Sequence, residues 1–375
     1  MRLERVELRR LRLPLVAPFR AATGAQADRD LLLVRVTTDL GEGWGECAAL
    51  GEPTYTSEYT EGVRHVIRAH LLPRLLGREL RGADEVAEAL RSIRGHPMAK
   101  ACLEMAFLDA ELRARGESLA RHLGAVRPTV ECGAAVGLQD SVDHLLEACA
   151  RALEAGYRRL KLKIEPGREL ETVRAVRERF GPVPLQVDAN GAYELEDLDR
   201  LARLDEFDLL MIEQPLAEDD LRGHAELARR LRTPICLDES ITSPRMAAAA
   251  IAAGACSIIN LKAGRVGGYL EARRIHDLCR AQGVPVWVGG MLETGLGRAA
   301  NLALAALPGC TLPGDLSAPD RYLARDLVDP LPMQDGRLPV PTQAGVGVSV
   351  HEEAVRELTV DLEVVAPERP MLRRP

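Results

Sequence analysis

From Thr129 onward the chain repeats one pattern: a short apolar run, a polar turn, then an amphipathic stretch. Five of the apolar runs close in Lys161-Leu162-Lys163, Val187-Asp188-Ala189-Asn190, Ile212-Glu213-Gln214-Pro215, Leu237-Asp238-Glu239-Ser240 and Asn260-Leu261-Lys262. The charged positions Lys163, Asp188, Glu213, Asp238 and Lys262 follow one another at steps of 25, 25, 25 and 24 residues. That interval accommodates one strand, one loop, one helix and one return loop, so the repeat predicts consecutive βα units. The first predicted strand covers 130–137, and a single helix is expected around Leu195, Leu198, Leu201 and Leu204. The helix over 245–253 carries a Ser243 cap, Pro244 at its first position and Gly254 past its end. A strand over 284–288 opens into Gly289-Gly290-Met291, and the short stretch 312–316 is left to close the ring as a weak eighth strand. Units of this kind give parallel strands with right-handed crossovers, and in a closed barrel all strands end on one face. The expected fold is α/β, a modified (β/α)7β barrel of the TIM type over residues 126–320.

The first 125 residues do not share this period. Alternation over 2–13 and 31–37, then a Gly-punctuated turn into 41–47, predicts an antiparallel meander followed by helices over 57–75, 84–93 and 98–115. Two stretches lack periodicity, 14–30 with Phe19 and Gly24, and 50–56 with Pro53 and Tyr55; both are expected to be loops, placed as lids over a barrel mouth. Residues 321–375 break the period again, and their strand-like segment 358–364 is expected to return to an α+β capping domain formed with residues 1–125.

Charge and composition narrow the class. A net charge of -7 and a pI near 5.8 argue against nucleic acid or an anionic membrane as partner. No apolar run approaches the roughly 20 residues of a membrane span, and residues 1–5 show no signal-peptide core. Eight scattered Cys without a C-x-x-C pair predict free thiols and a cytoplasmic protein. Of 49 Lys and Arg only four are Lys, namely Lys100, Lys161, Lys163 and Lys262. Lys can release its proton when its surroundings lower its pKa, whereas Arg cannot. Two Lys kept at strand ends in an Arg-rich chain point to a need for a removable proton.

Lys161 and Lys163 stand at i and i+2 and so share one strand face, opposite Leu160, Leu162 and Ile164. Asp188, Glu213 and Asp238 on three successive strands form an all-oxygen set suited to Mg²⁺, or to another divalent ion such as Mn²⁺ or Co²⁺. Lys163 and Lys262 lie two strands before and two after the middle carboxylate. A small-molecule carboxylate bound at the ion would present its α-carbon between two amines, one to remove the α-proton and the other to return it, through an enediolate. Such a base needs a pKa lowered from about 10.4 to about 7–8; burial, Lys161 and the ion act in that sense on Lys163, and Arg265 does so on Lys262. Phe19, Tyr55 and Met291 are read as an apolar pocket for a substrate side chain. Asn190, Ala135 and Gly290 join them on the substrate side of the site, and Glu239 is placed behind Asp238.

Taken together, Lys161-x-Lys163, Asp188, Glu213, Asp238-Glu239 and Lys262 resemble the motifs of the enolase superfamily, in its muconate-lactonizing-enzyme subgroup, over nearly the whole chain. The resemblance implies Lys163 and Lys262 as the acid/base pair and Asp188, Glu213 and Asp238 as metal ligands. A mandelate racemase pattern would place His after the seventh strand, where this chain has Val288-Gly289-Gly290. Dipeptide epimerases carry Asp-x-Asp on the last strand, where this chain has Asp315 and Ser317. Gly289-Gly290-Met291, Glu293-Thr294-Gly295, Gly314-Asp315-Leu316 and Lys262-Ala263-Gly264-Arg265 are most similar to the N-acylamino acid racemase / o-succinylbenzoate synthase family. The resemblance implies racemisation of N-acylamino acids together with dehydration of a succinyl-cyclohexadiene carboxylate to o-succinylbenzoate for menaquinone synthesis; a dedicated synthase, a cycloisomerase and a dipeptide epimerase are the alternatives. It also implies a homo-oligomer, often an octamer.

Overall fold

The computed structural model describes residues 1–21 and 24–366, and the side chains of 18–26 fall outside the description. Three strands, β1 (Leu3–Ala21), β2 (Gly24–Thr38) and β3 (Gly41–Glu46), open the chain as an antiparallel meander. The expected lid loop over 14–30 is therefore mostly strand. Pro14 interrupts the apolar alternation, yet the ladder continues through Leu13↔Arg29 and Pro14↔Asp28, because backbone pairing does not need apolar side chains. The C-terminal segment props this arm, with Val16 N donating to Tyr322 O at 2.8 Å. The second stretch, 50–56, is a loop. Phe19 lies outside the described side chains.

β3 carries Gly43 and Gly45 on one face, against the helix Pro97–Arg115. A Cβ at Gly45 would sit 2.0 Å from the Cys102 carbonyl oxygen, and one at Gly43 would sit 2.1 Å from that of Ala106. The close approach of strand and helix thus requires glycine at both positions.

A short strand β4 (Thr129–Glu131) leads into the barrel strands β5 (Gly133–Val136), β6 (Arg159–Lys163), β7 (Leu185–Asp188), β8 (Ile212–Glu213), β9 (Ile235–Leu237), β10 (Ile258–Leu261) and β11 (Val286–Val288). β5 to β11 lie side by side in chain order and parallel. The predicted strand 130–137 is split at Cys132, because its first half pairs antiparallel with β12 (Arg337–Pro339) rather than with β6. Residues 310–315 close the ring through isolated bridges, Val286↔Cys310 on one side and Cys132↔Gly314 on the other. Asp315 N donates to Val288 O at 3.0 Å and Gly133 N to Gly314 O at 2.7 Å. The helix expected around Leu195–Leu204 is a 3₁₀ turn Leu195–Asp197, a short α-helix Leu198–Ala202 and a second 3₁₀ turn Arg203–Phe207. Those leucines recur every three residues, an interval that a 3₁₀ turn matches and an α-helix tolerates only over a turn or so.

β13 (Thr359–Val365) runs antiparallel to β1 and completes the capping sheet in the order β13-β1-β2-β3. Two carboxylates of the cap sit on N-termini of barrel helices. Glu46 accepts from Thr294 N at 3.0 Å and Gly297 N at 3.1 Å, at the start of the helix Gly295–Ala305. Glu104 accepts from Leu270 N at 3.1 Å, at the start of Tyr269–Ala281. Each supplies acceptors for amides that have no partner within their own helix. Burial, only partly offset by these bonds, pushes the two carboxyls up to about 7 and about 8. Among the described residues no helix is long and apolar enough to cross a membrane.

The glycine contacts give a test of cap packing. Gly45→Ala should lower the unfolding free energy by about 1–3 kcal/mol, as overpacking does, read as a lower urea midpoint. An unchanged midpoint would contradict the close strand–helix approach.

Candidate active site

Each barrel strand delivers its last residues to the same face, and alternation along a strand sends every second side chain inward. Two inward layers result. The outer layer is Lys163, Asp188, Glu213, Asp238 and Lys262. Two residues earlier on the same strands lie Lys161, Gln186, Met211, Cys236 and Asn260, the floor beneath it.

The three carboxylates are almost fully buried, at 0–1% exposure. Asp188 Oδ2 receives Lys161 Nζ at 2.9 Å and Lys163 Nζ at 2.7 Å. Glu213 accepts from the floor: Lys161 at 3.0 Å, Gln186 Nε2 at 3.1 Å and Asn260 Nδ2 at 2.8 Å. Asp238 receives Lys262 Nζ at 2.8 Å on Oδ2 and is ion-paired to Arg265 through Oδ1. Burial works to raise all three carboxyls. Lys161 and Lys163 outweigh it at Asp188 and hold that group well below the usual carboxylate range, and Lys262 and Arg265 bring Asp238 down. Glu213 is different: burial and the neighbouring Asp188, with Asp238 adding, push it up to about 7 against the pull of Lys161. The three groups are thus close enough to repel one another, and each offers only hard oxygen donors, a set that fits a divalent cation of the Mg²⁺ kind. In this arrangement their oxygens turn to ammonium, guanidinium and side-chain amide groups, and among the described residues no three acidic, His or Cys side chains converge on one ion-sized point.

The two strand-end lysines are held differently. Lys163 Nζ donates to Asp188 Oδ2 and, at 2.5 Å, to Asn190 Oδ1. Asn190, whose φ is +45°, in turn donates Nδ2 to Glu239 Oε1 at 2.8 Å. Burial, together with Asp238 and Asp188, pushes Glu239 up to about 8. Glu239 therefore orients the amide that orients Lys163. Lys262 is bound by Asp238 and by Tyr55 Oη at 3.0 Å. Burial acts to lower its pKa and Arg265 acts in the expected sense, but Asp238 and Tyr55 outweigh them, so the net direction is upward rather than the expected downward one. Arg265 and Lys262 share two partners, Asp238 and Tyr55. The Arg265 guanidinium pairs with Asp238 and donates to Ile241 O at 2.8 Å, Asn260 O at 2.7 Å and Tyr55 Oη at 3.0 Å. Tyr55 is likewise more than a pocket wall, since its hydroxyl lies among Lys262, Arg265 and Asp238.

A cavity of about 500 Å³ opens onto Lys161, Lys163 and Lys262, and Tyr55, Ala135, Asn190, Gly290 and Met291 also line it. Arg265 and Glu239 stand behind this wall. Sequence reasoning passed over Arg12 and Arg298, which line the same cavity, and Arg159, which lies under it. Arg159 is fully buried, bonded to Asp315 Oδ1 and Pro313 O at 2.7 Å each, with its guanidinium 5.2 Å from the Trp287 ring centroid. Asp315 also takes Lys161 at 2.5 Å. The one Asp at the position where an epimerase would hold a substrate ammonium is therefore already paired with two cations. Gly289 explains the missing His after the seventh strand: a Cβ there would fall 2.7 Å from Lys262 Cε and 2.5 Å from Asn260 Oδ1. A side chain at 289 and the observed Lys262 position exclude each other.

Comparison with known proteins agrees with this architecture. Residues 5–124 match the mandelate racemase / muconate lactonizing enzyme N-terminal domain family, and residues 144–354 match the enolase C-terminal domain-like family. An N-succinylamino acid racemase from an Amycolatopsis species is 58% identical over 96% of this chain and 98% of its own length. An o-succinylbenzoate synthase from Geobacillus kaustophilus is 45% identical over 95% and 96%. The crystal structure of an enolase superfamily member from Listeria innocua superposes with a TM-score of 0.94 at 39% identity, covering 98% of this chain and 99% of the other. With both of its domains matched and the lysines and carboxylates of the barrel mouth in place, the chain belongs to the mandelate racemase / muconate lactonizing enzyme family of the enolase superfamily.

Proposed function

We propose that the protein racemises N-acylamino acids by a two-base 1,1-proton transfer, and that the same site dehydrates a succinyl-cyclohexadiene carboxylate to o-succinylbenzoate. The observation that carries this reading is the placement of Lys163 and Lys262 two strands to either side of Glu213, both open to one cavity. An α-carbon seated between them meets an amine on each face. Lys163 is positioned by Asp188 and Asn190 to take or give a proton on one face, and Lys262 by Asp238 and Tyr55 on the other. Mg²⁺, or Mn²⁺ or Co²⁺ in its place, would be held by Asp188, Glu213 and Asp238 and would supply the positive charge that makes the α-proton of a carboxylate removable near neutral pH. Syn dehydration needs one lysine as base and acid, with the other remaining charged, so both reactions fit the same residues. The names of the Amycolatopsis and Geobacillus relatives support the two activities. The neutralised Asp315 speaks against a dipeptide epimerase, which needs a free carboxylate for the substrate ammonium. The eight cysteines, all buried free thiols, suit the cytoplasm, and we take the enzyme to act there as a homo-oligomer.

Polarimetry of N-succinyl-L-methionine should show loss of rotation with Mg²⁺, none after EDTA treatment, and recovery when Mg²⁺ is restored. Full activity in a metal-free sample would contradict the ligand assignment. Arg265→Ala removes a cation that counters the hold of Asp238 on Lys262. It should reduce racemisation by about 100-fold, the lower end of acid–base contributions, and dehydration less. Equal losses in the two reactions would remove this role for Arg265.

A further inference from the structure

The two lysines are supported from different parts of the molecule. Lys163 bonds to Asp188 and Asn190, both at the end of β7 in the barrel. Lys262 bonds to Asp238 in the barrel and to Tyr55, which the cap contributes from the loop between β3 and the helix Thr60–Val66. A tyrosine hydroxyl has one proton and two lone pairs. Here Lys262 Nζ and Arg265 Nη1 donate to it at 3.0 Å each, and it donates to Asp238 Oδ2 at 3.3 Å. The ring also faces the amine, with Nζ 4.5 Å from its centroid, a cation–π distance. A lysine side chain has four rotatable bonds, and the loop supplies two of the contacts that fix this one.

Building on the two-lysine reading above, we propose that Tyr55 is a positioning residue for Lys262, so that the cap completes one proton-transfer face of the site while the barrel alone completes the other. Tyr55→Phe keeps the ring over the amine and removes only the hydroxyl. Two buried donors, on Lys262 and Arg265, then lose an acceptor, and the amine is free to leave its place against Asp238. The consequence is one-sided. Proton removal at the Lys163 face proceeds, and removal or return at the Lys262 face is impaired.

The test follows the α-proton by NMR in D₂O, with Mg²⁺-loaded enzyme and each enantiomer of N-succinylmethionine separately. Lys262→Ala identifies the enantiomer whose exchange depends on Lys262. In Tyr55→Phe, exchange from that enantiomer and inversion in both directions should fall about tenfold to 100-fold, the scale of a misplaced reacting group. Exchange without inversion from the other enantiomer should keep its wild-type rate. An equal fall for both enantiomers would mark Tyr55 as a general packing residue and overturn the proposal, as would no fall for either. Exchange from neither enantiomer in the wild-type enzyme would overturn the two-lysine reading itself, and this proposal with it.

Discussion

Three carboxylates ending adjacent parallel strands, out of reach of water, set the terms for everything around them. The barrel brings Asp188, Glu213 and Asp238 together whether or not their charges agree, because every strand ends on the same face. Lys161 is shared among Asp188, Glu213 and Asp315; Lys163 serves Asp188; Lys262 and Arg265 serve Asp238. Where cations are close, the carboxyls are held low, at Asp188 and Asp238. Where burial and neighbouring anions prevail, they rise, to about 7 at Glu213 and about 8 at Glu239. The lysines that answer this charge are the same groups that face the cavity. One arrangement of charge therefore serves both the integrity of the barrel mouth and its chemistry.

The cap enters that arrangement at a few points. Glu46 and Glu104 fasten it to the N-termini of two barrel helices, one following the Gly289-Gly290-Met291 wall and the other following Lys262 and Arg265. Tyr55 carries the connection through to Lys262. Gly43 and Gly45 let the cap helix Pro97–Arg115 lie close against β3, and Gly268, at φ +139°, lets Glu104 reach the start of the helix Tyr269–Ala281. Gly289 leaves Lys262 its space. Small residues at these places act by what they leave open.

The barrel and its outer charged layer were legible because a βα unit has a nearly fixed length and because charge at the end of an apolar run is conspicuous. The floor was less so, although its residues keep the same spacing: Lys161, Gln186, Met211, Cys236 and Asn260 stand two positions before the charged set. Neutral residues such as Gln186 and Asn260 carry no signal until their bonds to Glu213 are seen. Arg159 was hidden among 45 arginines. The paired strands over 14–21 and 24–30 suggest a loop in sequence, because a ladder held by backbone pairing shows no alternation. The leucines spaced by three suggest one helix, because that interval fits an α-helix and a 3₁₀ turn alike and cannot show where one gives way to the other. Arg265 and Tyr55 both attach to Asp238, and that shared attachment depends on a contact between domains, which no local pattern encodes.

The central claim is that two lysines act on opposite faces of one α-carbon. It is tested most directly by α-proton exchange in D₂O with Mg²⁺-loaded wild type, Lys163→Ala and Lys262→Ala, offered N-succinyl-L- and N-succinyl-D-methionine in turn. The account predicts exchange from both enantiomers in the wild type, loss from one enantiomer in the first variant and loss from the other enantiomer in the second. Loss from the same enantiomer in both variants, or exchange from neither in the wild type, would contradict it.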